Sequence, residues 1–146
     1  MRTVAEILAA KGRQFNYIDT CVTVREALSL MKSENFSYVI VTHNGKYAGI
    51  FSEHDYARKV ILMDKNSATT LVREVMTADL PMITSKDAGE HAMRLMNMHK
   101  TRYIPVFDDF EFKGVVTIND LMREAIADAE IHKNKIAGET AEVFDY

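Results

Sequence analysis

Gly49-Ile50-Phe51-Ser52-Glu53-His54-Asp55 is matched, sixty-five positions further on, by Gly114-Val115-Val116-Thr117-Ile118-Asn119-Asp120. Both stretches read glycine, two apolar residues, a hydroxyl residue, two variable residues and an aspartate. The register extends outward without a gap from Tyr17 to Ile61. Ile18 meets Ile83, Ala27 meets Ala92, Leu30-Met31 meets Leu95-Met96, Tyr38 meets Tyr103 and Val41 meets Val106. Arg58 then meets Arg123, and Ile61 meets Ile126. Two unrelated amphipathic segments share a few identities by chance, but they do not bring glycine, hydroxyl and carboxylate into line together. The chain is read as an internal duplication.

Each copy predicts the same order of elements, βαββα. In the first, Tyr17 to Val22 is extended. Val24, Ala27, Leu28, Leu30 and Met31 then recur at helical spacing, with Thr23 as N-cap and Glu26 completing a capping box. Ser37 to Val41 is β-branched and aromatic, as a buried strand requires. His43-Asn44-Gly45-Lys46 signals a tight hairpin, Tyr47 to Phe51 returns, and Ser52 to Met63 forms a second helix. In the second copy Met82 to Ser85 is extended and Asp87 to Lys100 helical, capped by Asp87. Tyr103 to Phe107 and Phe112 to Thr117 are strands around an Asp108-Asp109 turn, and a helix follows to about Ala129. Val4, Ile7 and Leu8 mark an amphipathic helix over 1–12. The expected organisation is an N-terminal segment 1–14, repeats 15–70 and 71–130, and a tail 131–146 without assignment. One copy alone has too little surface to bury a good core. The fold class is therefore α+β, two repeats packed sheet to sheet about a pseudo-twofold axis.

Composition narrows the function. The 146 residues are 47% hydrophobic and 27% charged, an ordinary globular balance. A net charge of −3 argues against a nucleic-acid surface, which carries a basic stripe, but leaves room for one small anionic ligand. The single cysteine, Cys21, excludes an internal disulfide and is expected to be buried and inert. There is no secretory signal pattern and no apolar run of membrane-spanning length, so a cytoplasmic protein is expected. No membrane or nucleic-acid partner is expected.

The hydroxyl and carboxylate of the repeated stretch fall where a strand turns into a helix. Free backbone N–H groups and the helix dipole favour an anion there. The Ser52 and Thr117 hydroxyls suit a phosphate oxygen, and the Asp55 and Asp120 carboxylates suit the two hydroxyls of a ribose. Helix capping alone also explains each Ser/Thr-x-x-Asp taken singly. Arg102 offers a fork of donors for phosphate, with Lys11, Arg13, Arg58 and Lys59 as further positive charge. The five histidines form no metal pattern: His91 and His99 share at most a helix face, and no cysteine pair or carboxylate set accompanies them. His43, in its turn, is expected to be exposed. Met93 and Met96 are expected in the core, with Met98 pointing elsewhere. No catalytic motif is present, so a non-enzymatic protein is expected; a cryptic nucleotide hydrolase is a weaker reading.

Gly49 to Val60 resembles the signature of a CBS domain, and Gly114 to Leu121 repeats it in form. Thr101-Arg102-Tyr103-Ile104-Pro105-Val106 is similar to the family's apolar-Pro-Val strand, and Val72 to Thr77 to the segment that opens a second unit. His54 stands where arginine is common, Ile40 replaces the proline found at Pro105, and Ala88 to Met93 departs from Thr23 to Leu28 at the helix start. The resemblance implies a tandem CBS pair, a Bateman module, that senses an adenosine-containing nucleotide such as AMP, ATP or NAD and signals its occupancy to a partner protein. It implies two clefts, each combining the aspartate of one copy with the early strand of the other. Asp120 and Thr117 would work with Asp19, Thr20, Val22, Ser37 and Tyr38. Asp55 and Ser52 would work with Ile83, Thr84, Ser85, Tyr103 and Ile104. It further implies homodimers, with Tyr56, Val60, Leu121 and Ala125 as exposed contact faces. A structural dimerisation module with empty clefts is the alternative.

Overall fold

In the computed structural model, residues 1–12 and 15–144 are described, with side chains as far as Gly138. They divide into two compact units, Arg13–Leu80 and Met1–Gly12 with Pro81–Tyr146.

In the first unit, β1 (Tyr17–Asp19) pairs in parallel with β2 (Tyr38–His43), which pairs antiparallel with β3 (Lys46–Ser52). Between β1 and β2 runs α2 (Val24–Glu34). Its cap is half of the expected box: the Thr23 hydroxyl accepts the Glu26 N–H at 3.2 Å. The hairpin turns on Asn44 and Gly45, whose φ of 51° and 75° are those of a type I′ turn. After β3, the expected helix from Ser52 to Met63 is α-helical only over α3 (Glu53–Asp55) and widens to a π turn over Tyr56–Ile61. The Leu62 N–H accordingly reaches back five residues to the Ala57 carbonyl. Ile18, Val24, Ala27, Met31, Val39, Val41, Phe51 and Val60 form the core. Each fully buried valine, methionine or phenylalanine among them contributes roughly 1.5–3 kcal/mol against the entropy of ordering it.

The second unit repeats this plan with α4 (Gly89–His99), β4 (Tyr103–Asp108), β5 (Glu111–Thr117) and α5 (Ile118–Phe144). The same one-residue bulge interrupts both hairpins, after Val41 and after Val106. Three elements depart from expectation. Met82 to Ser85 makes only a single parallel bridge, Ile83 to Val106. The cause is Pro105, which occupies the place of Ile40 but has no N–H with which to reach the strand as Ile40 reaches Asn16. Asp87 does not cap α4: its carboxylate accepts the N–H and hydroxyl of Thr84, and the helix starts at Gly89, with Ala88 as N-cap. Finally, α5 does not stop near Ala129 but runs to Phe144, into the segment left without assignment.

Each unit is completed by a segment from outside its βαββα core. In the second it is α1 (Val4–Lys11): Val4 donates to the Asp87 carbonyl, Ala5 to that of Ser85, and Gly89 to that of Arg2. In the first it is Leu71 to Thr77: Val72 donates to Val22, Arg73 to Thr20, and Val24 to Thr70. The bonds correspond one for one. Val4 and Ile7 fill the second core as Val72 and Val75 fill the first. Residues 71–80 thus lie with the first repeat, although they read in sequence as the opening of the second.

Candidate functional site

Both strand-to-helix junctions bring their hydroxyl and carboxylate together. In the first repeat the Ser52 backbone is extended (φ −126°, ψ 166°), which turns its hydroxyl back to accept the Asp55 N–H at 3.3 Å. Asp55 Oδ2 accepts the Ser52 N–H at 2.9 Å and its hydroxyl at 3.1 Å, closing a capping box. Asp55 Oδ1 accepts the Thr77 hydroxyl at 2.8 Å and pairs with Lys59 Nζ at 3.0 Å. Lys59 also donates to Thr77 Oγ1.

In the second repeat Asp120 Oδ2 accepts the Thr117 N–H at 2.8 Å and Lys11 Nζ at 2.8 Å, while Arg123 donates to Oδ1. The Thr117 hydroxyl accepts the Asp120 N–H at 3.2 Å. Lys11 also donates to the Val115 carbonyl at 2.8 Å. Burial lowers the Lys11 pKa, and the hydrogen bond it donates to Asp120 opposes that shift. All four residues of the two motifs are buried. Lys11 and Lys59, read from sequence as further positive charge for a phosphate, pair with the two aspartates.

The residues expected from the early strands occupy varied settings. Asp19 accepts the Cys21 N–H at 2.9 Å, and that bond holds its carboxyl below the usual range. Buried Thr20 shares a 3.2 Å hydrogen bond with His43 Nδ1, the proton's place depending on the tautomer. His43 is exposed, as expected. Ser85 donates its N–H to Asp108, whose carboxyl the hydrogen bonds from Ser85 keep low. Val22 is half-buried and Tyr38 buried, with Phe36 against it edge to face; the Ser37 carbonyl accepts the Glu53 N–H. Ile83 and Ile104 lie in the second core, Tyr103 is half-buried and Thr84 exposed. Arg102 is exposed and has no ion-pair partner among the described residues, and Arg58 is exposed as well; Arg13 lies outside the described residues.

Two expectations are corrected. Cys21 is exposed, because β1 ends at Asp19 and the chain turns outward before α2. Val60 and Leu121 are not contact faces but core, at 1% and 0% exposure, because the second helix of each repeat turns them inward. Exposed apolar side chains there include Ile61, Leu62 and Met63, and Met122 and Ile126. Met96 is buried and Met98 exposed, as their spacing indicates. Among the described residues no three His, Cys, Asp or Glu side chains gather as a metal cage, and no helix is long and apolar enough to cross a membrane. Thr77 escaped the sequence reading. Aligning Val4-Ala5-Glu6-Ile7-Leu8 with Val72-Arg73-Glu74-Val75-Met76 would have pointed to its segment as part of the first repeat.

The family model of the CBS domain matches twice, over residues 22–62 and 72–127. The chain belongs to the CBS-domain family. A mitochondrial CBS domain-containing protein of Arabidopsis thaliana, CBSX3, is 31% identical over 133 residues, covering 85% of this chain and 65% of its own. The chain therefore spans just under two thirds of that relative. Among solved structures, a protein with CBS domains from Burkholderia ambifaria is 36% identical with a TM-score of 0.81, covering 86% of this chain and 95% of its own. A CBS domain pair solved with 5′-methylthioadenosine and S-adenosyl-L-methionine has a TM-score of 0.76 at 22% identity, covering 88% and 98%; it shares the fold. The first matched segment falls on the first repeat, the second begins in the 71–77 segment that packs with the first and then covers the second, and CBS pairs are regulatory modules.

Proposed function

We propose that this CBS pair is a sensor that binds an adenosine-containing ligand at its strand-to-helix junctions and passes the occupancy to a partner protein. The observation that carries the reading is the duplicated junction itself. A hydroxyl and a carboxylate three residues apart stand at the start of a helix in both repeats, each with a cation against the carboxylate. That set offers acceptors for a ribose diol beside donors for a phosphate or carboxylate. A protein of the same fold carries 5′-methylthioadenosine and S-adenosyl-L-methionine, which adds these to AMP, ATP and NAD as ligands to test. Signalling through a homodimer is part of the proposal, and the exposed Ile61, Leu62, Met122 and Ile126 supply apolar surface for it.

Thermal unfolding tests the reading. A ligand that binds only the folded chain stabilises it by about 2.7 kcal/mol at a hundredfold excess over Kd. For a chain of this size that is a rise in Tm of roughly 5–11 °C, growing with ligand concentration. Flat melting temperatures across AMP, ATP, NAD, S-adenosyl-L-methionine and 5′-methylthioadenosine would favour a second reading, a structural dimerisation module. One observation speaks for that alternative: the Ser52–Asp55 capping box is complete without any ligand.

A further inference from the structure

We infer that the two carboxylates are not equivalent, and that ligand is taken up at Asp120 alone while Asp55 is closed by its own fold. The inference rests on the proposed function and deepens it. A carboxylate offers about four lone-pair sites. Asp55 has four donors on them: the Ser52 N–H, the Ser52 hydroxyl, the Thr77 hydroxyl and Lys59. Three of these belong to the backbone or to short side chains fixed by the fold. The Thr77 N–H is bonded to the Ile50 carbonyl at 2.8 Å, which fixes the backbone that presents its hydroxyl to the carboxylate.

In the second repeat the same two acceptors, the carbonyl of Val115 and the carboxylate of Asp120, are bridged by a different group. There the Lys11 ammonium donates to both. One cation replaces the amide and hydroxyl of Thr77. Asp120 is left with three donors among the described residues, and one of them, Arg123, is 69% exposed and free to leave at little cost. The Thr117 hydroxyl differs as well. It accepts the Asp120 N–H but, unlike Ser52, donates to no described residue. The second junction thus presents an acceptor under a movable arginine beside an uncommitted hydroxyl donor, which is what a vicinal diol with a neighbouring anionic group requires. Overall exposure is slightly greater at Asp55, 8% against 3%. That difference does not decide the matter, because Arg123 over Asp120 is solvent-exposed, whereas three of the four donors on Asp55, all but Lys59, are backbone or short side chains.

The experiment is a titration of the parent protein with the adenosine compound that gives the largest melting shift among those named above. Calorimetry is expected to give one equivalent per chain. Amide resonances of Thr117 and Asp120 should move, and those of Ser52 and Asp55 stay in place. Asp120→Asn should weaken binding at least tenfold. Two equivalents, movement at Ser52 and Asp55, or unchanged binding by Asp120→Asn would overturn this inference and leave the proposed function standing. Failure of the parent protein to bind any of the compounds would overturn both.

Discussion

At Gly49 an added Cβ would stand 2.7 Å from the Thr77 carbonyl oxygen, and at Gly89 2.5 Å from the Met1 sulfur. The two glycines are alike in crowding but not in what crowds them. Backbone meets Gly49, held there by the Ile50–Thr77 pairing, so Gly49→Ala is expected to cost about 1–3 kcal/mol through a forced shift of the segment that also carries the Thr77 hydroxyl. At Gly89 the nearest atoms belong to a flexible methionine side chain, and alanine at the first helical turn returns up to about 1 kcal/mol of propensity. Gly89→Ala should therefore unfold within about 1 kcal/mol of the parent. Urea denaturation of both variants checks the pair, and equal losses would show that backbone contact is not the distinguishing factor. The glycine at 49 was legible in the sequence as part of a repeated motif. Its steric reason was not, since Thr77 approaches it across twenty-eight positions of chain.

Hairpins and helix ends show how two copies of one element solve the same problem with different residues. Both turns need positive φ at two consecutive residues. The first uses Asn44-Gly45, the second Asp109-Phe110, with Phe110 at φ 65° and fully exposed. An aromatic residue in the left-handed region carries a penalty of about 1–2 kcal/mol and here packs against nothing that offsets it. Phe110→Gly is expected to raise stability by about 1 kcal/mol, or roughly 2–4 °C in Tm by calorimetry; a lower Tm would count against strain at this turn. The helix starts diverge in the same way. Thr23 caps α2 with its side chain, whereas α4 has Ala88 and satisfies its first N–H through the Arg2 carbonyl. Propensity pointed to Asp87 as the cap, but a distant backbone segment already occupied that role.

Over the whole chain, the N-terminal segment is part of the second repeat. Arg2 holds Glu124 of α5 through Nε at 3.1 Å and Nη2 at 2.6 Å, and its hydrogen bond pulls the Glu124 carboxyl below its ordinary value of 4.5. A carboxylate with a depressed folded-state pKa contributes stability that is fully present above its unfolded value. That contribution is lost as pH falls through the folded one. The Tm of the parent protein should therefore drop below about pH 4.5 in part through this pair, and Glu124→Gln should flatten that part of the curve while lowering Tm at pH 7. Identical acid profiles for parent and variant would remove Glu124 from the account.

Legible along the chain alone were the duplication, the order of elements in each copy apart from the first strand of the second, and the placing of a hydroxyl and a carboxylate at both junctions. All of these follow from spacing along the chain, which periodicity and turn chemistry record locally. Only the tertiary structure decided that residues 71–77 complete the first repeat and α1 the second, that Pro105 shortens one sheet, and that Thr77 and Lys11 bridge the same two acceptors in different ways. Those outcomes depend on which distant donor reaches a buried carbonyl or carboxylate first. No local pattern records that competition, because its partners are joined only when the chain has folded.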